Sequence, residues 1–528
     1  MKRRKFIQNA FPATAMIPGL MNGFPMRVLG AENSFLQTAM MPGIDTDKVL
    51  VIVQLSGGND GLNNVIPIST YGDYVNARKN IAIPENKILR LDGIDRTGLH
   101  PALAPFQQLY NDGKMNIIQA VGYPSPNFSH FRATDIWMSA SDSNQMVNSG
   151  WIGRYLDQEF PGFPNGYPTT EMPDPLALQV GAITSLTCQG PSVSMGMSLT
   201  DPASFYKLVD NQVDDTPNTP MGNELKFVRQ IARQTNKYGV RIRQAAAAVP
   251  TQGAYPNNPL AAQLKIVARL IKGGLKTRVY MVSYGGFDTH ANQVVASDTT
   301  TGNHANLLNN VSSSIKAFMD DLKGLGVDDR VLGMTFSEFG RRIKSNASIG
   351  TDHGSSAPLY LFGKHVMGGI TGNNPFIPAN STVGDNIPYQ YDFRSIYASV
   401  LQQWFCVPDT TLQQVMLKNF QSLPLINNPK CGTNNRPPNF SDEKLLVFNY
   451  PNPFSTYTKI TYRTKGGHTL LQLIDTSGRL LKVILERTYS SEGQHTIEFN
   501  GDFLPAGIYY IRLQNGPIQQ VRAVMKVS

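Results

Sequence analysis

The sequence predicts an α/β protein with a doubly wound, mostly parallel sheet, followed by a small all-β sandwich. The sheet is predicted because Lys48–Leu55 is an almost unbroken apolar, β-branched run, typical of a strand covered on both faces. Similar runs alternate with helical patterns along the chain, as in doubly wound folds. After residue 441 the pattern changes to short alternating segments, which predicts the sandwich.

A chain of 528 residues is too long for one ordinary core, so we expect a large domain with appendages. Hydrophobic residues make up 41% and charged residues 16%, which is typical of a globular protein and not of a disordered one. The predicted segments are a signal peptide at 1–31, an α/β domain at 45–425 with an insertion at about 160–258, a linker at 426–441 and the β-sandwich at 442–528.

The amino terminus predicts export. The basic cluster Lys2–Lys5 contains adjacent arginines, and the weakly apolar run Ala10–Met26 that follows is broken by prolines. This pattern resembles a twin-arginine signal, which implies passage of a folded cargo to the periplasm by the twin-arginine machinery. The alternative is a basic solvated tail. No other segment is apolar enough to predict a transmembrane span.

The net charge of +9 overstates how basic the mature protein is. Five basic residues lie in the first 31 residues, so that removing them leaves 9 − 5 = +4. A remainder this small gives no reason to expect a nucleic-acid partner. Cys188, Cys406 and Cys431 are scattered and predict neither a zinc knuckle nor a disulfide framework, although one pair could form in an oxidising compartment.

Apolar runs and helical spacing place the elements of the large domain in order. Strands are predicted at Lys48–Leu55, Met115–Val121, Arg278–Ser283, Val331–Phe336 and Pro358–Phe362. Helices are predicted at Pro101–Tyr110, Ser129–Trp137, Leu260–Lys272, along the apolar face from Leu307 to Leu322, and from Asp392 to Trp404. Residues 160–258 are rich in turn-forming residues, with one helical stretch at Glu224–Val249, and predict an insertion or lid.

Polar residues follow several of these strands, where an open α/β sheet usually presents its site. The glycine-rich segment Ser56–Asn63 places Asp60 after the first strand, where it is a metal-ligand candidate or the first residue of an Asx-turn. The segment lacks the Walker lysine and does not fit G-x-G-x-x-G. The segment Gly285–His290 repeats this plan with Asp288 and His290.

A loop between Val331–Phe336 and Pro358–Phe362 holds most of the reactive side chains: Glu338, Arg341, Arg342, Asp352 and His353. Carboxylates and imidazoles suit one or two divalent metal ions such as zinc, manganese, calcium or magnesium. The alternative is a polar loop in which Glu338 pairs with Arg341 or Arg342.

Ser129 lies where the N-cap of a helix is expected, so a capping role is one interpretation. The other interpretation is catalytic, because free amides at a helix N-terminus suit binding of a phosphate or sulfate group. His130 beside it is a candidate base or anion contact.

The motifs Ser56–Asn63, Asn127–Phe131, Gly285–His290, Ser337–Arg341 and Asp352–Gly354 resemble the exported family called domain of unknown function 1501, a branch similar to the alkaline phosphatase and sulfatase superfamily. The resemblance covers about residues 45–425. It implies a doubly wound sheet that holds one or two divalent metals, with a hydroxyl or modified cysteine that attacks phosphorus or sulfur.

Carried over by motif, the resemblance implies that Asp60, Asp288, Glu338 and His353 are metal ligands and that Ser129 is the nucleophile. Asp352 and His353 could instead match an Asp-His-Gly ligand pair, which would remove Glu338 from the set. The family spacing Asp-x-x-x-His is not kept, because position 292 is Asn, and His290 or His304 would substitute. The Cys-x-Pro-x-Arg signature is missing, which disfavours sulfatase chemistry of the formylglycine kind.

In the carboxyl-terminal region we predict seven short strands, and the motifs Tyr450–Phe454, Asp475–Arg479 and Leu504–Tyr510 resemble the sorting domain of the type IX secretion system. The resemblance implies that the type IX export machinery is a partner and that the protein is secreted or held at the outer cell surface. A carbohydrate-binding sandwich is the alternative.

Together these features predict an exported metal-dependent hydrolase of phosphate or sulfate esters, acting on a small-molecule or glycan ester. Ser129, His130 and Arg341 are the predicted catalytic residues, with Arg341 or Arg132 neutralising charge on the transferred group. The metal ligands are predicted from Asp60, Asp288, His290, Glu338, Asp352 and His353. The alternative function is a non-catalytic surface binding protein on the same fold. His100, His304 and His365 are predicted to be structural or surface histidines.

Overall fold

The computed structural model describes residues 20–21, 24–25, 47–202, 236–250, 252–428, 431, 447–450, 454–475, 479–516 and 518–526. The chain divides into two compact units, Met1–Thr46 and Asp47–Ser528. In the first unit, Leu20–Met21 and Phe24–Pro25 form an antiparallel pair. The rest of the predicted signal peptide and most of the predicted linker lie outside the described residues.

The five predicted strands of the α/β domain are present close to their predicted positions, and nine further strands in the described residues were not predicted. They are β1 (Val49–Leu55), β2 (Val65–Pro67), β3 (Leu89–Leu91), β4 (Ile94–Leu99), β5 (Met115–Gly122), β6 (Ala177–Val180), β7 (Gly196–Leu199), β8 (Val279–Tyr284), β9 (Val331–Phe336), β10 (Gly340–Ser345), β11 (Thr351–Gly354), β12 (Ala357–Gly363), β13 (Gly369–Thr371) and β14 (Tyr391–Asp392).

Within the described residues, nine of these strands form the main sheet, in the order β13-β5-β12-β9-β1-β8-β6-β7, with β14 also paired to β5. All neighbours are parallel except β12, which runs antiparallel to both β9 and β5. The predicted mostly parallel sheet is therefore confirmed. β2, β4 and β3 form a separate small sheet.

Helices cover both faces of the main sheet. They are α1 (Gly61–Asn64), α2 (Tyr71–Ala77), α3 (Ala104–Asn111), α4 (His130–Ser139), α5 (Trp151–Glu159), α6 (Pro259–Lys272), α7 (Asn303–Gly324), α8 (Phe393–Ser399) and α9 (Asp409–Met416). Short 3₁₀ helices lie at Ile68–Thr70, Glu85–Lys87, Pro101–Leu103, Leu186–Cys188 and Asp328–Arg330, a π-helix lies at Val400–Trp404, and residues 236–247 are also helical.

Strand β1 shows why the sheet is doubly wound. Its residues are buried throughout and alternate between two apolar cores. Leu50 and Ile52 pack into the core that contains residues of α4, α5 and α8, while Val51 and Val53 pack into the core that contains residues of α3, α6 and α7. An unbroken apolar run is required because neither face of this strand meets water.

Two segments differ from the predictions. β6 and β7 join the edge of the main sheet, so part of the predicted insertion at 160–258 is sheet and not lid; residues 203–235, with the start of the predicted helix Glu224–Val249, lie outside the described residues. The predicted loop before β12 contains the antiparallel hairpin β10–β11. Its polar residues conceal the strand pattern, in which Arg341 and Ile343 are buried on one face.

Cys406 and Cys431 form a disulfide, while Cys188 is free and buried. One pair has therefore formed, as the sequence allowed for an oxidising compartment. No helix among the described residues has the length and apolar character needed to cross a bilayer.

The carboxyl-terminal region is all-β. Its described strands are β15 (Val447–Tyr450), β16 (Tyr457–Ile474), β17 (Leu480–Asn500), β18 (Gly507–Asn515) and β19 (Ile518–Lys526). The predicted number of seven strands differs from the five described strands, because β16 and β17 each span two of the predicted strands and the segment between them. In β16 this segment contains Gly466-Gly467, where the pairing register shifts. Ile460 and Leu473, from the two halves of β16, share one apolar core, which agrees with the predicted small sandwich.

Candidate metal centre

The site lies at one edge of the main sheet. β1, β8 and β9 are adjacent and parallel, and β5 runs in the same direction because β12 is antiparallel to both β9 and β5. The carboxyl ends of these strands therefore open on the same edge, where α/β sheets bind ligands. The segments that follow β5, β8 and β9 carry His130, Asp288 with His290, and Glu338; β11 carries His353.

Three imidazoles and one carboxylate converge at this edge. One ligand atom each from His130, Asp288 and His353 lies within 4.8 Å of the other two. His290 joins them, since its Nε2 lies 2.9 Å from His353 Nε2 and 3.1 Å from Asp288 Oδ1. His353 Nε2 lies 3.2 Å from Asp288 Oδ1, and His130 Nε2 lies 3.5 Å from Asp288 Oδ2.

The other nitrogen of each imidazole is held by an acceptor. His130 Nδ1 lies 2.8 Å from Glu338 Oε1, His290 Nδ1 lies 3.2 Å from Asp352 Oδ1, and His353 Nδ1 lies 2.8 Å from the carbonyl oxygen of Phe128. A carbonyl oxygen or a carboxylate only accepts, so each Nδ1 carries the hydrogen. In the neutral rings, each Nε2 then presents a lone pair to the common centre.

This arrangement fits a metal ion. Two Nε2 lone pairs 2.9 Å apart repel unless a proton or a cation lies with them. His130 Nε2 is buried and has no hydrogen-bond partner among the described residues, which leaves a polar atom uncompensated. Ligating histidines in proteins characteristically donate their second N–H to a carboxylate or a backbone carbonyl, as all three do here.

The ionisation of the carboxylate and of His353 is consistent with metal binding. Burial raises the pKa of Asp288, but the hydrogen bond and charge of Arg341, together with the nearby His353, outweigh it, so that its pKa lies below the usual value. Burial lowers the pKa of His353 and outweighs the opposite effects of the Phe128 carbonyl and the Asp288 carboxylate. The favoured forms are thus a carboxylate and a neutral imidazole, which are the forms that bind metals.

The predicted ligand Glu338 supports the site from behind. Its side chain is 1% exposed, and Oε1 accepts hydrogen bonds from the backbone N–H of Gly57 and from His130 Nδ1, each 2.8 Å long. Glu338 thereby orients His130, and it is His130, not Glu338, that lies in the cluster. Asp352 is related in the same way to His290. Both carboxylates were predicted as ligands. In the structure each accepts a hydrogen bond from a histidine of the cluster and so lies one hydrogen bond further from its centre.

We expect Glu338→Gln to weaken metal binding by roughly 10- to 100-fold, because an amide accepts less strongly from His130 Nδ1 and fixes its tautomer less firmly. The metal dissociation constant, measured by competition with a chromogenic chelator, checks this. Glu85→Gln, a substitution of an exposed glutamate remote in sequence, is the matched control. An unchanged affinity in Glu338→Gln would show that His130 is oriented by other contacts.

The predicted catalytic Arg341 is a structural residue. Its guanidinium is fully buried and donates to the backbone carbonyls of Gly57, Gly58, Phe287 and Thr351 and to Asp288 Oδ1 at 2.7 Å. Each of the three guanidinium nitrogens donates within the protein, and the side chain is inaccessible to solvent. Arg132 is also engaged, donating to three backbone carbonyls between Asp142 and Gln145. Arg341 positions Asp288 and closes the loop after β1.

The predicted ligand Asp60 does not join the cluster. It is buried, and both of its oxygens accept from Arg78 Nη1, at 2.7 and 2.6 Å, while Gln293 Nε2 donates to Oδ2 at 2.6 Å. Burial raises the pKa of Asp60, but Arg78 and His304 lower it by more, so that the pKa lies below the usual value. The carboxylate therefore remains ionised. The structure therefore does not bring Asp60 to the cluster where a metal was predicted, and its charge is balanced by a buried arginine. The spacing of residues in the sequence does not predict that Arg78 pairs with Asp60.

Ser129 occupies the N-cap position of α4, as predicted, but its side chain makes no capping hydrogen bond. It is exposed to solvent and lies between Phe128, whose carbonyl accepts from His353, and His130. Its hydroxyl is therefore accessible to solvent, on the residue directly before His130 of the cluster. This placement keeps the nucleophile hypothesis open.

Phe339 supports the imidazoles and was not singled out from the sequence. It is buried, and its ring centroid lies 4.9 Å from that of His130 and 4.5 Å from that of His353. Gly58 allows this packing, since a Cβ there would lie 2.3 Å from the Phe339 ring, and its φ of +78° also favours glycine. The sequence signal that could have identified Phe339 was its position directly after the candidate ligand Glu338.

His100, His304 and His365, which were predicted to be structural or surface histidines, lie outside the cluster. Burial lowers the pKa of His304 to about 4 and that of His100 to about 3, so both rings are neutral near pH 7. His304 Nε2 lies 3.3 Å from Asn59 Oδ1, and His365 Nε2 lies 3.0 Å from Asp329 Oδ1. His304 therefore does not replace the missing histidine of the family spacing, and His290 is the residue that the structure brings to the centre.

Two family models match the chain. The model described as protein of unknown function (DUF1501) matches residues 114–403, which is more than half of the chain, and that of the secretion system C-terminal sorting domain matches residues 449–527. No curated protein matches. The predicted sorting domain and the predicted location, at the cell surface or in the medium, are thereby confirmed.

Solved structures resemble the chain at low identity. The PsFucS1 sulfatase from Pseudoalteromonas sp. is 12% identical, with 89% of this chain and 84% of that chain covered and a TM-score of 0.33. A protein in the alkaline phosphatase superfamily from Vibrio parahaemolyticus is 9% identical, with 83% and 82% covered and a TM-score of 0.29. By its family match, the chain belongs to the DUF1501 family of proteins of unknown function, and a secretion system C-terminal sorting domain follows the family region.

Proposed function

We propose that this protein is an exported metal-dependent hydrolase of phosphate or sulfate esters. One observation carries the proposal: the Nε2 atoms of His130, His290 and His353 converge with the Asp288 carboxylate, while each Nδ1 is held by an acceptor. A divalent metal bound there would supply Lewis acidity toward an ester oxygen or a water.

The donor set favours a particular class of metal. Three imidazoles and one carboxylate suit zinc or manganese, whereas calcium and magnesium prefer sites built from oxygen ligands. Asp60 is paired with Arg78, and Glu338 orients His130, so we infer one metal ion and not two. This narrows the one or two ions expected from the sequence.

The opening of the site suits an anionic ester. Asp288 is 47% and His290 43% exposed, so the centre is accessible from solvent. The exposed Ser129 is the N-cap residue of α4, directly before His130 of the cluster, and helix N-terminal amides bind tetrahedral anions. Ser129 Oγ would form the new bond to phosphorus or sulfur and release its hydroxyl proton to solvent, while the bond to the alcohol oxygen breaks and that oxygen takes a proton from solvent. Water would then release the anion from Ser129.

We expect Ser129→Ala to lower ester hydrolysis by about 100-fold with an unchanged metal content, because the hydroxyl is lost but no ligand is. Steady-state kinetics together with elemental analysis of the purified variant check this. Ser125→Ala, an exposed serine of the same loop, serves as the matched control. A loss of less than about tenfold would assign the attack to water instead.

The broadest test is a substrate screen. The purified full chain, reconstituted separately with zinc and manganese, is assayed against aryl phosphates, aryl phosphodiesters and aryl sulfates. Metal-dependent turnover of one class supports the proposal and names the ester. Stoichiometric metal without turnover of any class would favour the second candidate, a non-catalytic surface binding protein. That candidate is supported by the internal contacts of Asp60 and Arg341. Asp60 was expected to bind metal and Arg341 to contact the substrate, but both are bonded to other side chains of the protein.

A further inference from the structure

A cavity of about 410 Å³ lies beside the hairpin β10–β11. Its lining is polar and basic, and consists of Asn76, Ala77, Lys79, Lys344, Ala379, Asn380 and Ser381. It contains two lysines and no carboxylate. A concave surface with this lining attracts anions, because nothing in the wall balances the positive charge.

The two lysines lack counter-charges among the described residues. Lys344 Nζ reaches only the backbone carbonyl of Ser381, at 3.5 Å, and no ion pair involves Lys79. A third cation lies close by on the same strand face, since Arg342 and Lys344 are two residues apart in β10. Arg342 donates to the carbonyls of His353 and Gly384 and packs on the Phe128 ring, but meets no carboxylate within the described segments.

The basic residues Arg342 and Lys344 extend along β10 away from the candidate metal centre. Arg341, beside Arg342, is paired across the hairpin with His353. Lys344 is three residues further along β10, which corresponds to roughly 10 Å of extended strand. Contacts also tie the two places together, because Arg342 contacts the backbone of His353 and the ring of Phe128, whose own carbonyl accepts from His353.

We propose that this cavity binds a second anionic group of an extended, polyanionic substrate while the ester to be cleaved lies at the metal centre. The bound group is a sulfate, a phosphate or a carboxylate on the same chain. Lys79 and Lys344 hold it by charge, and Asn76, Asn380 and Ser381 supply polar contacts at the wall. That the group belongs to the substrate rests on the proposed function; that the cavity binds an anion does not.

The test is the double variant Lys79→Gln, Lys344→Gln in the metal-loaded full chain. Binding of a dextran sulfate oligosaccharide, a polygalacturonate oligosaccharide and neutral dextran is measured by calorimetry. We expect the double variant to bind at least one of the two anionic oligosaccharides about 10-fold more weakly, and the wild type to show no binding of neutral dextran. The matched control is Lys272→Gln, Lys323→Gln, which removes the same charge from the ends of α6 and α7.

The outcomes separate the cavity from the catalytic proposal. Equal weakening in both double variants, or no binding of either anionic oligosaccharide by the wild type, overturns the inference. Weaker binding confined to Lys79→Gln, Lys344→Gln supports the cavity even where no ester is hydrolysed, and the proposed function alone then fails. Where hydrolysis is found, the ratio of kcat/KM for a polyanionic ester to that for a monoanionic aryl ester must also fall about 10-fold in this variant.

Discussion

The His353→Ala variant is expected to bind metal at least ~100-fold more weakly than the wild type and to lose ester hydrolysis to a similar or greater degree. His353 lies at the middle of the cluster, because its Nε2 is 2.9 Å from His290 Nε2 and 3.2 Å from Asp288 Oδ1. Its removal leaves two imidazoles and one carboxylate, and it also frees the carbonyl of Phe128 that fixed its orientation. Loss of a direct ligand should exceed the effect expected for an orienting residue such as Glu338.

Two measurements on the purified protein check this prediction. Elemental analysis gives the metal retained per chain, and chelator competition gives the affinity. His365→Ala is the matched control, since His365 is bonded to Asp329 and Asn427 and has no contact with the cluster in the structure. If His353→Ala retained the wild-type metal content and affinity, the four side chains would be a hydrogen-bonded group without a metal, and the hydrolase proposal would lose its main support.

The fold was largely predictable from apolar patterning. Val331–Phe336 has the predicted bounds because a buried strand that ends at polar residues leaves a sharp change in hydropathy. Ser129 was also placed correctly at an N-cap, because serine is a preferred residue at that position. The hairpin β10–β11 was missed because its exposed face carries Arg342 and Lys344, which look like loop residues until the partner strand is known.

The site was predictable only in part, since side-chain partners depend on tertiary contacts. Asp288, His290 and His353 follow or flank strands of one sheet edge, so their convergence could be anticipated from topology. His130 was interpreted as a base or an anion contact and not as a ligand, because a single histidine at a helix N-terminus has no ligand spacing to mark it. Whether a carboxylate binds a metal or a protein donor depends on its neighbours in the fold. The neighbour of Asp60 is Arg78 and that of Glu338 is His130, and these partners are distant in the sequence or on another element.

The Asp60→Ala variant distinguishes a role of Asp60 in metal binding from a role in stability. As a metal ligand, Asp60 would affect metal binding; as the partner of Arg78, it should affect stability. Both side chains of the pair are 0% exposed, and Arg78 also donates to the carbonyls of Arg342 and Ile343, so the guanidinium cannot move to water without disturbing β10. Removing one partner of a buried pair leaves an uncompensated charge, and we expect the free energy of unfolding to fall by about 3–5 kcal/mol.

Tryptophan fluorescence during urea unfolding measures this loss in the α/β domain alone, because all three tryptophans, Trp137, Trp151 and Trp404, lie within it. Glu85→Ala is the control: it breaks an ion pair with Arg90 in which both side chains are 52% exposed, and should cost less than about 1 kcal/mol. The folded fraction of Asp60→Ala should still bind metal, since no atom of the cluster is removed. A variant as stable as the wild type but without metal would return Asp60 to the ligand set and would require the loop after β1 to rearrange when metal binds.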